Sequence, residues 1–170
     1  MAESYFRKAV ETLTERNPNP YDGEPYYNLG WSCMMQQKWD EAYDAFFKSA
    51  WNAAWQDAAY YALAQLDTRK GKYESALDKI DRSLIRNWHN HKARQLKTSI
   101  LRKLGRKEEA LALVAESLQI DRFNMGCRFE HYLLTRDVKV LEEMKELMRG
   151  WAHGYIAVSY THLRAHETAA

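Results

Sequence analysis

Apolar side chains recur at intervals of three and four along most of this chain. Between Asp57 and Asn90, Tyr60, Leu63 and Ala64 mark one stripe, and Tyr73, Ala76, Leu77, Ile80 and Leu84 mark a second. Such spacing places side chains on one face of an α-helix, where a half-buried strand would alternate. The polar stretch Arg69-Lys70-Gly71-Lys72 separates the two stripes. It predicts a helix, a tight turn with Gly71 where φ > 0 costs little, and a second helix.

The pattern repeats. Segments 23–56, 57–90 and 91–124 align without gaps at a spacing of 34 residues. Their second halves agree best: "QKWDEAYDAFFKSAW", "GKYESALDKIDRSLI" and "GRKEEALALVAESLQ". Ala42, Ala76 and Ala110 fall in register, as do Ser49, Ser83 and Ser117, the apolar trio Phe46, Ile80 and Val114, and Gly71 with Gly105. The alanines let paired helices approach closely, and the larger residues fill the remaining groove. A fixed period of this length predicts an all-α solenoid of antiparallel helix pairs, each burying its apolar face against a neighbour.

These residues resemble the tetratricopeptide repeat (TPR). Its pattern of an aromatic, Leu-Gly, and later an aromatic, Ala and an aromatic is met by Tyr26-Tyr27-Asn28-Leu29-Gly30, then Trp39, Ala42 and Phe46. The second copy keeps Tyr60, Leu63, Gly71, Tyr73 and Ala76, whereas the third has Arg94 and Lys97 where the aromatic and Leu are expected. The closing Pro is missing from all three copies, replaced by Ala54, Trp88 and Arg122. The resemblance covers roughly residues 1–150 and implies a right-handed α-solenoid. Its first helices would line a concave groove with Tyr27, Asn28, Trp31 and Met34, then Tyr61, Gln65 and Arg69, then Lys92, Gln95 and Arg102. The family's Lys/Asn clamp on a C-terminal carboxylate does not carry over, because Tyr27 and Trp31 stand where its first Lys and Asn belong.

Outside the three copies the pattern continues in part. Residues 1–16 read as the second helix of a truncated repeat, with Ala2, Phe6 and Ala9 matching Ala42, Phe46 and Ser49. A linker over 17–22 follows, holding Pro18 and Pro20. Residues 125–150 can form a degenerate fourth pair, 151–158 begin a further unit, and 159–170 lose the periodicity and read as a non-native tail. Neither end has the polar outer face of a capping repeat, so the sequence predicts a piece of a longer array.

Composition adds exclusions. A net charge of +2 gives no general attraction to nucleic acid or membranes. Cys33 and Cys127 are too far apart in sequence to suggest a disulfide framework or a zinc ribbon. With no secretory signal pattern, the default expectation is a reducing cytoplasmic setting. His89 and His91 form an incomplete metal set, and no phosphate loop or nucleophile elbow is present, so no cofactor, metal or catalytic residue is expected. Acidic Asp40, Glu41, Glu108 and Glu109 open second helices, where they complement the helix dipole.

Two features remain for function. Tyr26, Leu29, Gly30 and Cys33 make the packing stripe of their helix, yet Tyr27, Trp31 and Met34 make another on a different side. A helix apolar on two sides is buried on both or displays one. The leading expectation is a non-enzymatic scaffold that holds a peptide or protein surface, with a groove grading from aromatic to basic. One alternative is an accessory region of a large bacterial carbohydrate-related enzyme, since the wording resembles C-terminal repeats of large uncharacterised bacterial multidomain proteins with β-sandwich modules. Another is RNA binding through Lys92, Arg94, Lys97, Arg102, Lys103, Arg106 and Lys107, which lack the interleaved aromatics that single strands use.

Overall fold

Nine α-helices run through the part of the chain that the computed structural model describes, residues 2–17 and 22–150. The expected segments 151–158 and 159–170, and the middle of the 17–22 linker, lie outside the described residues. In order the helices are α1 Ala2–Thr14, α2 Glu24–Met35, α3 Trp39–Ser49, α4 Gln56–Arg69, α5 Tyr73–Arg86, α6 His91–Lys103, α7 Lys107–Ile120 and α8 Met125–Thr135. A ninth, α9, covers 138–150, and a 3-10 turn at Ala53–Trp55 precedes α4. No strand occurs among the described residues. From α1 to α8 each helix packs on its neighbours in sequence, which builds an all-α solenoid.

Local chemistry sets the helix ends. Pro25 sits in the first turn of α2, where a missing N–H costs nothing. Asn90 and Asn124 lie in register and cap α6 and α8, their side chains accepting from Ala93 N and Cys127 N at 3.1 Å each. The turns inside the three pairs are alike. Gln37, Gly71 and Gly105 take φ of 62°, 72° and 76°. Beyond them Lys38 N, Lys72 N and Arg106 N each donate to the carbonyl five residues back at 2.9 Å, closing the helix ends.

The register positions are the core. Ala42, Ala76 and Ala110 are 0% exposed, and Phe46, Ile80 and Val114 are at most 2% exposed. Gly30 is needed for this packing: a Cβ there would lie 2.7 Å from the Phe46 ring. One cluster joins α2, α3 and α4, and a second joins α4 through α7. α1 contributes no buried residue, though Phe6 and Val10 lean on the first cluster.

Two polar groups interrupt this core. Asp67 stands at the position of Cys33 and Leu101, and it accepts from Lys79 Nζ at 2.6 Å and Ser75 Oγ at 2.7 Å. Arg94, in the aromatic slot of the third unit, is wholly buried. Its Nε donates to Ser117 Oγ at 2.8 Å, its Nη2 lies 3.1 Å from Glu116, and its guanidinium stacks 4.5 Å over Trp88. An arginine thus substitutes for the ring there, its stem packing and its planar head stacking.

Candidate peptide-binding surface

The second apolar face of α2 is shared between core and solvent. Tyr27 and Trp31 meet edge to face at 6.3 Å, and both rest on Phe46 at 5.6 and 5.8 Å. Trp55 lies 4.8 Å from Tyr27, and Met34 leans on the same cluster. Tyr27, Trp31, Met34 and Trp55 are half-buried over the wholly buried Phe46, so the rings form an anchored ledge rather than loose surface groups.

α4 extends the ledge. Tyr61 packs half-buried against the second cluster, and burial, then the nearby Tyr27, push its hydroxyl above the usual tyrosine range. Gln65 Nε2 donates to the Tyr61 hydroxyl at 3.2 Å, while Gln65 Oε1 has no hydrogen-bond partner. Trp55 is not selected by the helical periodicity, because it comes from the 3-10 turn outside both stripes. Its only sequence signal is an aromatic residue just ahead of a first helix.

Other expected residues are placed differently. Asn28 and Trp31 also line a groove of about 720 Å³ between α1 and α2, with Glu3, Phe6, Arg7 and Met35. Arg69 is exposed, but its guanidinium lies 4.0 Å over the Trp39 ring. Arg102 Nε donates to the largely buried Glu130 at 2.6 Å. Lys92 and Gln95 remain exposed on α6, with the Gln95 carboxamide folded over Gly126. Of the three cations at the basic end of the expected gradient, Arg102 is paired with a carboxylate, Arg69 keeps its charge over the Trp39 ring, and Lys92 is exposed. The wider basic cluster is dispersed likewise. Arg94 is buried, Lys97 lies 2.7 Å from Asp81, and Arg106 lies 2.6 Å from Glu109.

Reactive groups are few. Glu3, Cys33 and Glu41 can bring ligand atoms within 4.8 Å of one another, the one such group among the described residues. Their negative charge is already met: Glu3 accepts from Lys38 at 2.7 Å and from Arg7, and Arg7 also pairs with Glu41. Burial pushes the Cys33 and Cys127 thiols up, away from the nucleophilic thiolate. No described helix is long and apolar enough to cross a membrane.

The fold is that of tetratricopeptide-repeat proteins, a stack of helix pairs with an open face. No family model matches the sequence. The chain is similar to MamA, at 15% identity and a TM-score of 0.70, over 87% of this chain and 88% of that one. It is similar also to YrrB, a TPR protein with an unusual peptide-binding site, at 21% identity and a TM-score of 0.64, over 82% and 69%. The first TPR of Spaghetti (RPAP3), bound to the HSP90 peptide SRMEEVD, matches at 17% identity and a TM-score of 0.56, over 77% of this chain and 94% of its own.

Proposed function

We propose that this chain is a non-enzymatic interaction scaffold whose first helices hold an extended peptide by an apolar anchor. The carrying observation is the ledge of Tyr27 and Trp31, half-exposed and backed by Phe46, with Tyr61 half-buried on the second cluster beyond them. Rigid, backed aromatics lose little entropy on binding, which is what interface anchors need. Met34 supplies adaptable apolar surface beside them. Asn28 and Gln65 would hydrogen-bond the peptide backbone, with Gln65 Oε1 an acceptor still without a donor. Lys92 and Gln95 would meet the far end of the ligand, while Arg69 and Arg102 would engage it only by leaving Trp39 and Glu130. The likeness to YrrB, a TPR protein with an unusual peptide-binding site, and to the RPAP3 repeat bound to an HSP90 peptide supports this reading.

Screening a peptide library against the wild type, Trp31→Ala and Tyr61→Ala tests the reading. Each truncation is expected to weaken the selected peptides about 30-fold, equivalent to about 2 kcal/mol for an anchor residue. Equal binding by folded variants would refute it. The RNA alternative has less support, since Arg94, Lys97, Arg102 and Arg106 are already paired. An affinity for single-stranded RNA that falls steeply with salt would revive it.

A further inference from the structure

Seven large apolar side chains are exposed between Glu24 and Asn124, and six of them lie at one edge of the stack. Because successive helices alternate in direction, the last turns of α3, α5 and α7, and the connections after them, all fall on that edge. They carry Phe47 with Trp51, Ile85 with Trp88, and Ile120 with Phe123, which are 36% to 79% exposed. The exception is Met35, which ends α2 at the opposite edge. An array of this kind grows by stacking pairs face to face, so further units at either end would leave this edge open.

Positive charge follows the same three places. Lys48 adjoins Phe47, Arg86 adjoins Ile85, and Arg122 adjoins Phe123. These cations are exposed and have no carboxylate partner among the described residues; Lys48 and Arg122 meet only rings, Tyr26 at 5.5 Å and Phe123 at 5.1 Å. The acids beside them are already engaged. Asp57 accepts from Asn87 Nδ2 at 3.0 Å, Asp121 from Phe123 N at 2.8 Å, and Glu116 lies 3.1 Å from the buried Arg94. The surface ends at α1, where Glu11 stands in register with Trp51 and Ile85. A net charge of +2 hides this local excess.

We propose that this edge docks on an anionic lipid bilayer, its rings and Ile85 entering the headgroup region while Lys48, Arg86 and Arg122 meet the lipid charges. Aromatic and aliphatic side chains interleaved with long cations suit such an interface, because their stems bury while their charged heads stay wet. The cations are spread one to a unit, which matches a uniformly charged plane better than a single acidic segment. The rings are held in place: Trp51 meets Phe47 edge to face at 6.3 Å, and the Arg94 guanidinium lies 4.5 Å over Trp88. A protein partner would anchor in a pocket. The recess at this edge, about 250 Å³ beside Tyr60, Arg82 and Ile85, leaves Trp51, Trp88 and Phe123 outside it.

The test sediments the 170-residue chain with vesicles of phosphatidylcholine alone and of phosphatidylcholine mixed with phosphatidylserine. Binding to the mixed vesicles is expected, and it should fall steeply as salt rises. Trp51→Ala and Ile85→Ala should each weaken it about fivefold. Lys48→Glu with Arg86→Glu should weaken it about tenfold or more. Ile85 is 79% exposed and outside both core clusters, so its variant keeps the test valid if Trp51→Ala loosens α3. The proposal is independent of the peptide ledge, so Trp31→Ala should leave vesicle binding intact and Ile85→Ala should leave ledge binding intact. Absent binding to the mixed vesicles, equal binding to both kinds, or binding unmoved by Ile85→Ala and by the charge reversals overturns it. So does capture at this edge of a soluble peptide of glutamate and leucine in place of vesicles, which would mark an acidic protein as the partner.

Discussion

At Gly30 a single hydrogen decides whether α2 and α3 can meet. A Cβ would fall 2.7 Å from the Phe46 ring, so Gly30→Val is expected to cost about 1–3 kcal/mol in chemical denaturation. The turn residues make the opposite case. Gln37 holds φ of 62° where its counterparts are glycines, so Gln37→Gly is expected to stabilise by about 1 kcal/mol. Asp67 is costlier to disturb. Lys79→Met would strand a carboxylate that is 3% exposed and should destabilise by about 3–5 kcal/mol. Adding Asp67→Leu, the residue type that Leu101 shows to fit, should recover most of that loss. The glycines and alanines of the turns and core were readable in the sequence, because few other residues fit those places. The partners of Asp67 were not, because a lone acid in an apolar slot does not name its cation.

Among the elements, α1 depends most on charge. Lys38 and Arg7 donate to Glu3 and hold its carboxyl near 2, well below the ordinary 4.5. A lowered folded-state value stabilises in full above pH 4.5 and is lost as the pH falls toward 2. NMR or amide exchange should show α1 loosening over that window, and Glu3→Gln should abolish the dependence while weakening α1 at neutral pH. Helix positions followed from the 34-residue period, because each helix repeats the same stripe. The fate of Arg69 and Arg102 did not. Trp39 and Glu130 lie about 30 residues away from them in sequence and meet them only through the crossing of helices. Arg94 shows the same limit. The sequence marked it as a departure from the pattern, and only packing shows that it fills the slot of a ring.

Across the whole molecule, stability should follow position in the stack, since each pair leans only on its neighbours. Wholly buried side chains concentrate in α4 to α6, and α1 has none. Hydrogen exchange is expected to be slowest in α4 and α5 and fastest in α1, with uniform rates contradicting that order.

The polar interruptions of the core also bear on how the chain reaches this arrangement. Like units present like seats, so a folding chain of repeats can dock a helix one unit out of place. Asp67 with Lys79 marks one joint, and Arg94 with Ser117 and Glu116 marks the next. A shift by one unit would set Asp67 against Ala45 or Leu113, the counterparts of Lys79, and Arg94 beside Arg82, the counterpart of Glu116, a penalty that makes the wrong pairing short-lived. The variant carrying Asp67→Leu and Lys79→Met, nearly as stable at equilibrium, is therefore expected to refold with an added slow phase as misdocked chains correct themselves.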